Sequence, residues 1–150
     1  MEPPLGRRLY LGHRAVHDVL DERLAAKGAS LWNWVLLREA TRASGASQRE
    51  LADLMHIEPP TLVRHLDRLE ADGYVERRPD LDDRRRLLVF VTSSGRRRLA
   101  ELQKVADSTD VELRSLLDDD EIETLGDTLM RIHEHFTTLA EEEVAHGRHH

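Results

Sequence analysis

The sequence predicts a mainly α-helical fold: a helix-turn-helix followed by a small β-hairpin wing, with further helices that form a dimerisation bundle. Two short amphipathic helical segments, separated by a turn, occupy the middle of the chain, and two segments rich in Val and Leu follow them directly. Longer helical segments lie on either side of this unit. We therefore expect one domain over 1–150, with about 31–93 as the winged unit and about 5–30 and 94–144 as dimerisation helices.

The helices before the turn are delimited by apolar spacing and by residues that start or stop helices. A stripe of apolar residues predicts a first helix over about 5–26, which Lys27 and Gly28 end. Ser30 suits the N-cap of a second helix over about 31–43, because its hydroxyl can accept a hydrogen bond from an otherwise unpaired backbone amide.

The helix-turn-helix is recognised from its start and stop signals. Ser47 and Glu50 have the S-x-x-E spacing of a capping box, which satisfies two unpaired amides reciprocally at a helix start. Pro59 and Pro60 suit the first turn of the next helix, where a missing N–H costs nothing. Gly73 is placed to end that helix in a left-handed conformation.

The second helix of this pair is predicted to have two different faces. Leucines at 62, 66 and 69 recur at helical spacing and should point inward. In a helix-turn-helix the exposed side chains of this helix meet base edges in the major groove. We therefore predict contacts with double-stranded DNA from Pro60, Thr61, Arg64, His65 and Arg68. Two alternatives stay open: Arg64 as a solvated helix residue, and Arg68 as an ion-pair partner within the helix.

The β-hairpin is predicted from segments 74–78 and 87–92, joined by the eight-residue loop PDLDDRRR. A tight hairpin turn needs far fewer residues. Arg84, Arg85 and Arg86 place three permanently charged, planar guanidinium groups at its tip, which suits phosphates or a narrow minor groove. The alternative is an ordinary solvated turn.

These residues resemble the MarR family of winged-helix regulators, and most closely its SlyA-type branch. The resemblance rests on the run IEPPTLVRHLDRLEADGYVERR and the following DDRRRLLVFVTSSG, and it weakens after about residue 115. The family's wing has a D-x-R pattern followed by Leu-Thr. Asp83 and Arg85 match the D-x-R pattern, and Val91-Thr92 stands where Leu-Thr is usual.

The resemblance implies roles for the wing residues. Arg85 would enter the minor groove, and Asp83 would brace the wing through an ion pair. Arg84 and Arg86 are predicted to contact phosphates beside it.

The resemblance also implies a small-molecule site, because family members bind ligands where the first two helices meet the winged unit. Trp34 occupies a position that lines this pocket, and Arg14 matches a basic residue that can hold a carboxylate. His13 and His17 lie on the same stretch. An aromatic wall with one cation suits a small aromatic carboxylate such as salicylate. Ordinary core or surface positions for these four residues are the alternative.

Composition excludes several classes of function. The chain contains no cysteine, which excludes disulfides, thiolate metal sites and thiol redox sensing. No stretch approaches the length of a membrane helix, and we expect a cytoplasmic protein without membrane partners. The net charge of −7 is concentrated at the end: 105–150 holds 13 acidic and 3 basic residues, whereas 47–104 holds 11 and 12. A DNA-binding surface needs only local positive potential.

The last helices are predicted to form a homodimer. Apolar residues spaced mainly by three and four predict a helix over about 94–116. The helix that follows the acidic run 118–121 carries a heptad-like seam: Ile122, Leu125, Leu129, Ile132, Phe136 and Leu139. This is more apolar surface than a small winged unit can cover, so a second copy is the expected partner. Residues 145–150 are predicted to be disordered.

The sequence leaves two alternative functions open and argues against a third. His13 and His17 have i, i+4 spacing, which would suit a metal-responsive regulator, although no metal site is predicted because further ligands are missing. A dimeric protein-interaction module that has lost DNA binding is the second alternative, which the intact arginine wing disfavours. We find no catalytic motif and no cofactor-binding motif, so an enzyme is not expected.

Overall fold

The computed structural model describes residues 2–147 and confirms the predicted fold class, with six helices and one two-stranded sheet in that part of the chain. In chain order the elements are α1 (Leu5–Ala25), α2 (Leu31–Arg42), α3 (Gln48–Leu54), α4 (Pro59–Ala71), β1 (Val75–Pro79), β2 (Leu87–Val91), α5 (Ser93–Arg114) and α6 (Asp119–Gly147). The chain divides into two compact units, the first ending at Ser108 and the second beginning at Thr109. No helix among the described residues is long and apolar enough to span a membrane.

The first unit is built around a leucine-rich core. Its buried apolar side chains come from α1, α2, α3, α4, both strands and α5: Leu20, Leu24, Leu36, Leu37, Ala40, Leu51, Ala52, Leu62, Leu66, Leu69, Val75, Val89, Val91 and Leu102. Because Leu20 and Leu24 belong to this cluster, the last turns of α1 are part of the core of the winged unit.

The starts of α2, α3 and α4 are those that the sequence predicts. The Ser47 amide donates to Glu50 Oε2 at 2.7 Å, and the Glu50 amide donates to Ser47 Oγ at 3.2 Å, which completes the capping box of α3. The Ser30 hydroxyl accepts from the Asn33 amide at 3.2 Å and caps α2. Prolines occupy the first two positions of α4.

One glycine allows a sharp turn before the hairpin, and another allows close packing after it. Gly73 has a φ of +78°, a left-handed conformation that costs other residues free energy, and it turns the chain from α4 towards β1. A Cβ atom on Gly95 would lie 2.0 Å from the carbonyl oxygen of Tyr74. Only glycine therefore allows the start of α5 to approach the start of the hairpin this closely.

The hairpin is antiparallel, and backbone hydrogen bonds tie it to the connection between α2 and α3. Val75 lies opposite Val91 and Pro79 lies opposite Leu87. The amide of Val89 donates to the carbonyl of Ala46 at 2.9 Å, and the amide of Gly45 donates to the carbonyl of Val89 at 3.0 Å. Backbone hydrogen bonds within the chain thus hold the base of the wing.

The second unit, described over 109–147, is dominated by α6. Asp118 and Glu121 form another reciprocal cap at its start, with N···O distances of 3.0 and 2.9 Å. Large apolar side chains remain exposed along this unit: Val111, Leu113, Leu116, Leu125, Leu129, Met130, Phe136, Leu139 and Val144.

The predicted element bounds need small corrections. Helix α5 begins one residue earlier than expected and ends at Arg114 rather than near 116. The predicted disorder of 145–150 is wrong for its first residues, because α6 continues to Gly147. A run of strong helix formers precedes that glycine, and a nitrogen of the His146 ring lies 2.7 Å from the carbonyl oxygen of Glu142. The predicted disorder of 148–150 lies outside the described residues.

Candidate nucleic-acid interface

Helix α4 separates its residues into a buried side and an accessible side. Leu62, Leu66 and Leu69 are at most 1% exposed. The residues predicted to contact DNA lie on the remaining surface, where they are exposed or half-buried: Pro60, Thr61, Arg64, His65 and Arg68. Within residues 2–147, neither Arg64 nor Arg68 pairs with a carboxylate, so the ion-pair alternative for Arg68 is not observed there. The accessible side of the helix is consequently basic.

The wing loop is ordered by hydrogen bonds within it. The amide of Asp80 donates to the carbonyl of Arg86 at 2.9 Å, and the amide of Arg86 donates to the carbonyl of Asp83 at 2.9 Å. The amide of Asp82 donates to the side chain of Asp80 at 3.0 Å. These bonds define the backbone of the arginine-rich tip, and the side chains of Arg84 and Arg85 remain exposed.

Asp83 and Arg85 form the ion pair that the family resemblance implies. Both the backbone amide and Nε of Arg85 donate to Asp83 Oδ1 at 3.1 Å. These two hydrogen bonds, first the one from the side chain, hold the pKa of the Asp83 carboxyl below its ordinary value. The side chain of Arg85 is 92% exposed, so the pair orients a guanidinium group that still faces solvent.

Arg86 differs from its neighbours because carboxylates on two elements engage it. Its guanidinium group lies 3.3 Å from Glu50 on α3 and 3.5 Å from Asp80 in the wing loop. A phosphate at this position would have to compete with both carboxylates. The geometry favours Arg86 as the side chain that fixes the wing to α3.

Arg77 is an organising residue that the sequence reasoning missed. Only 15% of its side chain is exposed, and its guanidinium group contacts Glu70 at 2.5 Å, Asp67 at 2.7 Å and Gln48 at 3.1 Å. Its amide also donates to Glu70 at 3.0 Å. These hydrogen bonds, chiefly the one from the Arg77 side chain, lower the pKa of Glu70. Arg77 thereby connects β1 of the wing with α4 and α3.

Two sequence signals pointed to this network. In a strand, Arg77 shares a face with the buried Val75, two residues earlier. Asp67 and Glu70 are three apart in α4 and therefore lie on one side of that helix. A positive charge directed inward beside two carboxylates is a recognisable pattern once the strand and the helix are known to be neighbours.

The two tryptophans of α2 contact different elements. The ring of Trp32 stacks on the ring of His65 in α4, with 5.7 Å between centroids and 26° between planes. The indole N–H of Trp34 donates to Gln103 Oε1 of α5 at 3.0 Å, and the guanidinium carbon of Arg38 lies 4.7 Å from its ring centroid. Trp34 is half-buried against the core, and Trp32 is 41% exposed.

Among the described residues, no contact links all four of the residues predicted to bind a small carboxylate. Arg14 is exposed, lies 3.5 Å from Asp18 and donates to the Tyr10 hydroxyl at 3.3 Å. The rings of His13 and His17 lie 4.0 Å apart, and burial, followed by the neighbouring His13, lowers the pKa of His17. These three residues share the surface of α1, whereas Trp34 is held by α5.

A metal centre would need several ligands close together. Over 2–147, no group of three or more His, Asp or Glu side chains is arranged to hold a metal ion. The metal-responsive alternative therefore has no supporting cluster in this part of the chain. His149 and His150, which belong to the histidine-rich end, lie outside it.

Comparison with known proteins identifies relatives of this arrangement. The MarR family model matches residues 30–87, which contain α2, α3, α4 and the wing loop. A crystal structure of MarR is similar with a TM-score of 0.81 and 26% identity, covering 94% of this chain and 96% of that one. A cysteine-to-serine mutant of MarR from E. coli, complexed with operator DNA, gives 0.78 and 28%, covering 86% and 93%.

A third structure extends the likeness in fold. The S. aureus MepR–DNA complex has a TM-score of 0.80 at 21% identity, with 89% of this chain and 98% of that chain covered. The family model matches the helix-turn-helix and its wing, and the MarR structures match nearly the whole chain. From this agreement we conclude that residues 30–87 form a MarR-family winged helix-turn-helix, in a chain whose fold is similar to that of the MarR structures.

Proposed function

We propose that the protein is a homodimeric transcriptional regulator that binds a specific site in double-stranded DNA. The observation that carries this proposal is the accessible basic side of α4, opposite its fully buried leucines. A helix in a helix-turn-helix presents such a side to the major groove. The operator complex of the E. coli MarR mutant, at 28% identity, supports the same use of the fold here.

Different residues of α4 would contact different parts of the DNA site. Arg64 is exposed near the N-terminal part of the helix, and its planar fork suits the two acceptor atoms of guanine. Pro60, Thr61 and His65 would contact neighbouring bases or the backbone. Arg68, further along the helix, would contact a phosphate.

The wing would hold the DNA beside that groove. Arg85 would enter the adjacent minor groove, in an orientation set by its ion pair with Asp83. Arg84 would contact a phosphate from the exposed loop. For Arg86 we propose a supporting role, because Glu50 and Asp80 already engage its guanidinium group.

The homodimer is proposed from the second unit. Leu125, Leu129, Phe136 and Leu139 of α6 are between 38% and 63% exposed although they repeat like a packed seam. A second copy would cover them and present two α4 helices to DNA. Two-fold symmetry then predicts a pseudo-palindromic operator with half-sites about one helical turn apart.

A small aromatic carboxylate is the proposed effector. It would replace Asp18 at Arg14, where the exposed ion pair contributes little stability, with His13 and His17 on the same helix. That Trp34 lines the same pocket is what the family resemblance implies. Such a ligand releases DNA only when it binds better to a subunit spacing that mismatches the operator. Occlusion of a promoter or displacement of another bound protein would then be the regulatory outcome, as in a repressor or a counter-silencer.

The experiment is a selection of genomic fragments by the purified protein, followed by gel shifts on the enriched site. The shifts are run at two salt concentrations, with and without salicylate. We expect one palindromic site, and an affinity that falls steeply with salt because basic residues displace counterions from phosphates. Release by salicylate, abolished in Arg14→Ala, would support the effector site.

The other outcomes are equally informative. Enrichment of no fragment would contradict DNA binding and favour a dimeric protein-interaction module. A specific shift unaffected by salicylate would leave the regulator in place and remove the proposed effector class.

A further inference from the structure

The stack of Trp32 on His65 links the start of α2 with the accessible side of α4. The centroids are 5.7 Å apart and the planes differ by 26°, which is a stacked rather than an edge-on arrangement. Trp32 is 41% exposed, so it is not required to fill the core. His65 is half-buried beside Arg64, at the centre of the proposed DNA-reading surface.

We infer that Trp32 is a positioning and specificity-determining residue, which holds the His65 imidazole in the orientation that reads a base. This inference rests on the proposed function, since it assigns a role within the DNA-reading surface. Trp32 itself is not assigned a contact with DNA. It would act through the ring that it stacks on.

The stacked geometry explains how an indole can help a histidine to read DNA. An imidazole on a helix surface turns about two side-chain bonds, and each accessible rotamer directs its nitrogens differently. A flat ring against one face removes some of those rotamers. Both nitrogens lie on the edge of the imidazole, so stacking through the face leaves them able to form hydrogen bonds.

The surroundings also favour the neutral form of the ring. Burial lowers the pKa of His65, and the positive charges of Arg68 and Arg64 on the same helix lower it further. From α2, the group in contact is the uncharged indole of Trp32. A neutral imidazole presents one donor and one acceptor, whereas the charged form presents two donors and attracts phosphates without discrimination.

The experiment compares Trp32→Ala with Trp32→Phe on the selected operator and on a scrambled duplex of equal length. Loss of an aromatic pair predicts that Trp32→Ala lowers the ratio of the two affinities by about 3- to 10-fold. Trp32→Phe, which keeps a flat ring, should retain most of that ratio. In a His65→Ala background, Trp32→Ala should have no further effect, because the ring that it positions is absent.

A second readout does not depend on DNA. The His65 ring resonances are followed by NMR as a function of pH and assigned by comparison with His65→Gln. We expect a titration midpoint below the ordinary 6.5 in the native protein. Trp32→Ala should raise it, because burial is the largest cause of the lowering, and Trp32→Phe should leave it lowered. Thermal melts of both variants check that the fold is intact.

Each result decides the matter. Equal losses on operator and scrambled DNA, or an unchanged ratio, would overturn the positioning role. An unchanged His65 titration in Trp32→Ala would overturn the stack itself. If the native protein selects no DNA, the proposed function fails and this role fails with it, although the NMR titration would still report the stack.

Discussion

The two units of the chain differ in how many of their large apolar side chains are buried. In the first unit Leu36 and Leu37 of α2 and the leucines of α4 are at most 1% exposed, whereas in the second unit Leu116 and Phe136 are 75% and 63% exposed. Contiguous exposed apolar surface usually marks an interface. The first unit thus contains its own core, and the second unit has a surface suited to a partner.

Because the two units bury their leucines to different extents, a leucine-to-alanine substitution should have different effects in each. Leu66→Ala removes a fully buried side chain of α4 and should lower the free energy of unfolding by about 2–5 kcal/mol. Leu129→Ala, at a position 41% exposed, should instead mainly weaken dimerisation. Chemical denaturation and analytical ultracentrifugation of both variants test this. The two variants should also be compared at protein concentrations far below the dimer dissociation constant. If both lost the same free energy of unfolding there, the predicted difference between the two units would be contradicted.

A charged residue in the apolar seam of α6 should weaken the proposed dimer more than an alanine does. Leu129→Glu places one unpaired carboxylate from each copy in the proposed interface, and burying such groups is expensive. We expect dimerisation to weaken by about 100-fold or more, with operator binding falling in parallel. Thr124→Glu adds the same group at an exposed position outside the seam and serves as the control. A monomeric Leu129→Glu variant with native operator affinity would show that DNA binding needs no dimer.

The Arg77 network tests whether the first unit is held by polar contacts as well as by its core. Arg77→Ala should cost about 1.5–3 kcal/mol of stability, because hydrogen bonds to charged, part-buried groups are lost. Arg78→Ala, on the neighbouring and more exposed residue, is the matched control and should cost much less. A loss no larger than that of the control would refute the assigned role.

The same network gives an expected pH dependence. The folded-state pKa of Glu70 is lowered, so its contribution is present above the unfolded value and disappears as pH falls through the lower folded value. Native stability should therefore decline below about pH 4.5, the ordinary carboxyl value. In Arg77→Ala this part of the decline should be weaker, as measured by urea denaturation between neutral and acidic pH.

The smallest expected effects separate base contacts from phosphate contacts within the first unit. Arg64→Ala should weaken operator binding by about 1–3 kcal/mol and relax the preference at one base pair. Arg84→Ala should weaken binding to all sequences alike. It should also reduce by about one the slope of the logarithm of the binding constant against the logarithm of the salt concentration. Repeating the selection with each variant, together with salt titrations, distinguishes them. An unchanged base preference in Arg64→Ala would remove its reading role.

Much of the fold was predictable because its signals are local. The Ser47–Glu50 cap depends on residues three apart, and the leucine side of α4 depends on helical periodicity. The seam of α6 is likewise a repeat that can be read along the chain. The end of α6 was misjudged because helix ends depend on weak propensities summed over a few residues.

Partners that are distant in sequence were decided only by the tertiary structure. Arg86 reaches Glu50 across 36 positions and Arg77 reaches Gln48 across 29, and the stack of Trp32 on His65 joins two different helices. The sequence by itself determined which helices form, which of their sides are apolar and where the arginines of the wing stand. Whether an arginine supports the wing or faces outward from it depends on which elements become neighbours, and packing of the whole core sets that.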